Sequence, residues 1–187
     1  TESQKAIAAT GELAISVQKR EHDYLIDIVI PDRSGLLSLV SGVLNVLRLD
    51  VRSARTKTVS ECAVMQWVVI ADPHAPEITE EILKREITLA TEDIRSLAER
   101  IQSRINAYAT LPTIPVPAPV VETFTDGATD ATIIEIRTHD RPALLFNIGD
   151  VITQCNVDIR SAIVTTLGAE AIDTLYLREF GGGALVS

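Results

Sequence analysis

The chain has 187 residues, 46% hydrophobic and 23% charged, with 17 Lys and Arg against 26 Asp and Glu and a formal charge of -9. That composition fits a soluble globular protein of one or two domains and argues against nucleic acid or a membrane surface as partner. No apolar run nears the roughly 20 residues that cross a bilayer, and the first twelve residues lack the features of a secretory leader, so a cytoplasmic location is expected.

In chain order, Ile26, Ile28 and Ile30 alternate with Asp27 and Val29, the period of a strand with one buried face. After the turn Pro31-Asp32-Arg33-Ser34-Gly35, the residues Leu36, Leu37, Val40, Val43, Leu44 and Leu47 fall on one face of an amphipathic helix. Segments 50–59 and 63–71, separated by Ser60-Glu61, read as a β-hairpin. From Ile78 to Tyr108 apolar residues recur every three or four positions, predicting one long helix or two joined near Thr91, packed on the sheet. Residues 109–119 then carry four of the eight prolines and predict an extended connector, with Val120 to Phe124 as the strand that closes the first unit. Ile134 and Ile136 begin the pattern again. The turn His139-Asp140-Arg141-Pro142-Ala143 leads into the face Leu144, Leu145, Ile148, Val151, Ile152 and Cys155, and a hairpin over 158–166 and 171–178 turns at Gly168-Ala169.

The second series is the first one repeated. An offset of 108 residues lays Asp140 on Asp32 and keeps Asp-Arg, Leu-Leu, Asp50 over Asp158, and Arg52-Ser53-Ala54 over Arg160-Ser161-Ala162, without a gap. Strand, helix, strand, strand is half of a split βαβ unit, so the fold class is α+β with two ferredoxin-like βαββαβ repeats. The first is expected over 12–124. The second, over 130–187, is expected to stop after its third strand, its open face covered by residues beyond this chain rather than by a partner or by the segment around Leu13 to Val17. Thr1 at the start, and Ser187 soon after the linker-like Gly181-Gly182-Gly183, suggest an excised region.

The repeated turn carries the chemistry. Backbone N–H groups at a helix start have no intrahelical partner and sit at the positive end of the dipole, which suits a carboxylate or phosphate. Asp32 and Asp140 beside that seat repel phosphate and favour a zwitterion, such as a free α-amino acid. The competing reading is structural: Asp caps helices, and glycine serves turns. Against it stands the recurrence of the turn in both copies, each followed eighteen residues later by Asp50 or Asp158 on the neighbouring strand.

The pattern D-R-[SP]-[GA]-L-L, a helix, then [LV]-D-[VI]-R-S-A resembles the ACT domain, a regulatory module that binds amino acids. The tandem pair with its long helical and proline-rich spacer is similar, over about residues 12 to 180, to the C-terminal region of the PII uridylyltransferase/uridylyl-removing enzymes. The resemblance implies an L-glutamine sensor, itself without catalytic residues or cofactor, acting on the catalytic domains of a parent enzyme, with a homodimer through sheets or helices as an option. It implies one seat at Asp32, Ser34, Gly35, Leu36 and Leu37 and another at Asp140, Ala143, Leu144 and Leu145, with Asp50 and Asp158 contributed across an interface between units. Ser34 and Ala143 depart from the family's D-R-P-G-L. On the glycine criterion the first seat should be the better one. A stand-alone ACT protein, or the regulatory tail of an amino-acid biosynthetic enzyme, is the alternative.

Other chemistry lacks its residues. His22, His74 and His139 form no metal-ligand spacing, and His139-Asp140 lacks the further ligands of a metal-dependent phosphohydrolase. Cys62 and Cys155 predict two buried, reduced thiols. RNA recognition on the same strand order needs exposed strand aromatics, and aromatics make up only 4% of the chain.

Overall fold

A computed structural model of the chain describes residues 12–108, 116–124, 130–179 and 185. The alternating segments form β1 (Ala14–Lys19), β2 (Tyr24–Pro31), β3 (Leu49–Val59), β4 (Cys62–Ala71), β5 (Val120–Phe124), β6 (Thr132–His139), β7 (Val157–Leu167) and β8 (Glu170–Glu179). The helical periods form α1 (Leu36–Val46), α2 (Glu80–Glu92), α3 (Ile94–Tyr108) and α4 (Leu144–Gln154). Of the two helical readings the second holds: Asp93 separates α2 from α3, and its Oδ1 accepts hydrogen bonds from the Arg95 and Ser96 N–H groups. Residues 116–119 of the proline-rich connector have no regular structure; 109–115 and Gly181-Gly182-Gly183 lie outside the described residues.

All eight strands join one antiparallel sheet in the order β1-β2-β4-β3-β7-β8-β6-β5. The halves are mirrored in this order and meet at β3 and β7, where Arg55 pairs with Ile163, its own counterpart at an offset of 108. Register aligns Ile28, Met65, Thr56, Ala162 and Leu175 in one row across the sheet, all on the face that the helices cover. The backbone repeats too. The residues with left-handed φ pair off at the offset: Gly35 with Ala143, Arg48 with Asn156, and Ser60 with Gly168.

Two expectations need correction. Val120–Phe124 does not close the first half: β5 pairs with β6, and the corresponding edge of the first half is taken by β1 pairing with β2. Each half therefore receives its edge strand from the chain before it, and the segment around Leu13 to Val17 serves the first half rather than the second. A five-residue strand exposed along its whole length carries no buried-face pattern that could name its neighbour. The second correction concerns α4. Val43 and Leu47 are buried, but their counterparts Val151 (58% exposed) and Cys155 are exposed. In the first half α1 is wedged between α4 and the pair α2 and α3; in the second, α4 packs chiefly on α1 and β7 among the described elements. Of the two thiols, only Cys62 is buried. No helix among the described residues is long and apolar enough to cross a membrane.

Candidate ligand-binding site

Both helices start from a left-handed residue: Gly35 at φ 82° before α1 and Ala143 at φ 60° before α4. These are the N-caps, and neither makes a side-chain capping bond, so Asp32 and Asp140 do not cap their helices. Instead the two aspartates are held by equivalent backbone bonds, from Asp32 N–H to the Glu61 carbonyl (2.9 Å) and from Asp140 N–H to the Ala169 carbonyl (2.8 Å).

Each turn faces a cavity completed by the other half. Asp140, Ala143, Leu144 and Leu145 line a cavity of about 420 Å³ together with Asp50, while Asp32, Gly35, Leu36 and Leu37 line one of about 20 Å³ together with Asp158. All of the predicted seat residues except Ser34 lie on these two linings; the Ser34 hydroxyl is buried without a partner. The larger volume lies within the ordinary range for small-ligand sites, roughly 300–1,000 Å³. The smaller one has room for about one water.

The glycine criterion favours the first turn, whereas the larger cavity lies at the second. Beside Gly35 stands Thr153 of α4, whose Oγ1 would lie 3.7 Å from an added Cβ. Thr58 Oγ1 donates to Asp32 Oδ2 at 2.7 Å, and Arg178 Nε donates to Asp158 Oδ2 at 2.9 Å across β7 and β8. Met65 fills the floor. At the larger cavity the counterpart positions are Asn45, Thr166, Ile70 and Asp173, and neither hydrogen bond is repeated among the described residues. Two hydrogen bonds, the Thr153 side chain and the Met65 side chain separate a closed seat from an open one.

Charge in the open cavity is mixed: Asp50, Asp72, Asp140 and Asp173 face Arg52, Arg104 and Arg141. Arg52 sits where the β3–β4 register shifts between Val51 and Ser53, and such a bulge re-aims the side chain it carries. The guanidinium Nε of Arg52 is buried without a hydrogen bond, as is Asn45 Oδ1. Desolvation by surrounding atoms holds the Asp140 carboxyl above the usual aspartate range; a backbone N–H from Arg141 opposes this, the Asp50 charge adds to it, and Arg52 again opposes it. A small zwitterion can be met here at both ends, its ammonium by Asp140 and Asp50 and its carboxylate by Arg52 and the first turn of α4. Sequence reasoning missed Asn45 and Asp173. The signal for Asp173 was present, since a charge occupies an inward position in the alternation Ala171, Asp173, Leu175, Leu177.

Residues 14–92 match the family described as plant bHLH transcription factor, ACT-like domain. The match covers the first half, and the second half repeats its order of strands and helix. Over 84% of its length the chain is 31% identical to the bifunctional uridylyltransferase/uridylyl-removing enzyme of Streptomyces coelicolor, and over 81% it is 28% identical to the enzyme of that name from Ruegeria pomeroyi. It spans only 20% and 17% of those relatives. Among solved structures, an aspartate kinase from Synechocystis aligns with 84% of this chain and 24% of its own at 16% identity and a TM-score of 0.41. The ACT-like match of residues 14–92 and the strand order agree with two ferredoxin-like repeats. The βαββ order is present in each ACT repeat, and the edge strand beside its first strand comes from the preceding chain.

Proposed function

We propose that this pair of ACT repeats is the amino-acid-sensing part of a larger cytoplasmic enzyme, that its ligand is L-glutamine, and that it governs a nucleotidyltransferase that modifies and demodifies the PII nitrogen-signal protein. The observation that carries the reading is the 420 Å³ cavity joining the Asp140–Leu145 turn of one repeat to Asp50 and Arg52 of the other. A ligand bridging two repeats stabilises one mutual arrangement of them, and an effector shifts an equilibrium only by its differential affinity for the states. Similarity to the uridylyltransferase/uridylyl-removing enzymes supports the choice of parent, whose catalytic domains would be the partner that reads the arrangement. Titration calorimetry is expected to give tighter binding of L-glutamine than of L-glutamate or D-glutamine. No heat and no thermal shift with any of the three, on folded protein, would overturn the reading.

A further inference from the structure

Among the groups of the open cavity that the zwitterion does not use, Asp173 is set apart by its burial. Asp173 is central on β8, between Val164 of β7 and Ile136 of β6, and points to the helix side in line with Ala171, Leu175 and Leu177. Its residue is only 2% exposed, it lines the cavity, and its Oδ1 has no hydrogen-bond partner. A buried carboxylate left unpaired is costly to the fold. Its counterpart in the closed seat is Met65, so the sheet at this place accepts an apolar residue without difficulty. Asp173 therefore serves no need of the fold.

We propose that Asp173 is the specificity-determining residue of the open cavity, pairing with an uncharged amide on the side chain of an amino-acid ligand and excluding a side-chain carboxylate. The proposal rests on the amino-acid reading above. The other charged groups of the cavity narrow the choice of side chain. With Asp140, with Asp50 and Arg52 on β3, and with the turn engaged by the two ends of the zwitterion, Arg104 on α3 and Arg141 on the turn before α4 disfavour a cationic side chain, whereas Asp72 after β4 and Asp173 itself when ionised disfavour a second carboxylate. A neutral group that can donate and accept is left. Burial, with the Asp140 charge adding to it, pushes the Asp173 carboxyl up to about 7, so both of its forms are populated near neutrality. An amide satisfies both, its NH2 donating to the carboxylate or its C=O accepting from the acid. A side-chain carboxylate satisfies only the acid.

The test is calorimetry of L-glutamine and L-glutamate on the whole 187-residue chain at pH 6.0 and 8.5, for the wild type, Asp173→Asn and Asp173→Met. Wild-type affinity for L-glutamate should fall about tenfold or more from pH 6.0 to 8.5 while that for L-glutamine holds within about twofold. Asp173→Asn should remove that pH dependence and narrow the preference for L-glutamine by about tenfold; Asp173→Met should weaken L-glutamine binding by about tenfold and keep the fold, as a retained thermal transition would show. If the wild type prefers L-glutamine and both variants keep that preference and its pH profile, Asp173 does not read the side chain and the sensor reading stands. If the wild type binds neither amino acid, both proposals fall together.

Discussion

Ser38 Oγ donates a 2.9 Å hydrogen bond to the carbonyl of Phe146, the residue that the 108-residue repeat places at the position of Ser38 itself. The bond lies where α1 and α4 cross, and Arg55 opposite Ile163 marks the same pseudo-twofold axis on the sheet below. The cavities lie on either side of that axis. Whatever fixes the crossing of α1 and α4 therefore fixes the geometry of both seats.

Gly149 sets that distance. A Cβ added there would lie 3.0 Å from the Ser38 backbone nitrogen and from Ser38 Cβ, and backbone within a helix has little freedom to move aside. Overpacking costs about 1–3 kcal/mol, against a gain of about 1 kcal/mol in helix propensity. Gly149→Ala is expected to lower stability by about 1 kcal/mol in urea unfolding and to weaken L-glutamine binding at the same time.

The two seats should respond differently to loss of their aspartates. Asp140→Ala removes a charge from the open cavity and is expected to weaken L-glutamine binding by about tenfold or more. Asp32→Ala removes only the partner of Thr58, so affinity should stay within about twofold while stability falls by about 1 kcal/mol. Calorimetry of the wild type should give one ligand per chain, and a stoichiometry of two would contradict the closed first seat.

Stability should depend on pH in opposite senses through two carboxyls. The folded chain holds the Asp173 proton more tightly than the unfolded chain does, so this contribution is full below the ordinary value of 3.8 and is lost as pH rises to about 7, on the order of 4 kcal/mol at most. Asp173→Met, which carries no such penalty, should therefore gain in thermal stability over the wild type as pH rises from 4 to 8. Melting curves that run parallel across that range would contradict it.

Glu86 has the other sign. Its side chain is 9% exposed and bridges α2 to α3 through Arg100 at 2.9 Å, with Arg85 at 3.1 Å. Burial tends to raise its carboxyl, but the hydrogen bonds and charges of Arg100 and Arg85 outweigh it and hold the group below the usual 4.5. Its contribution is present above 4.5 and lost as pH falls through the lowered value. Because both arginines are largely solvated, Glu86→Gln should cost about 1–2 kcal/mol at pH 7 and less at pH 3, as read by denaturant midpoints.

Much of this was legible in the chain itself. Period-2 and helical spacing name the strands and helices, and the offset of 108 names the duplication, because one buried face per element leaves a regular trace and a copied unit copies its trace. The same comparison marked the two turns, and the resemblance to the ACT family implied that Asp50 and Asp158 stand across an interface between units; in the structure Asp50 lines the cavity at the second turn and Asp158 the one at the first. Tertiary structure alone decided three things. The partner of β5 depends on hydrogen bonds between backbones, to which its exposed side chains give no clue. The exposure of Val151 and Cys155 depends on what covers α4, not on the period of α4. The inequality of the seats depends on Thr153, on Thr58 with Asp32, on Arg178 with Asp158, and on Met65 where the other seat has Asp173. Local pattern fixes which face a residue turns inward, but whether the space it meets is filled is settled by side chains that arrive from elsewhere in the chain.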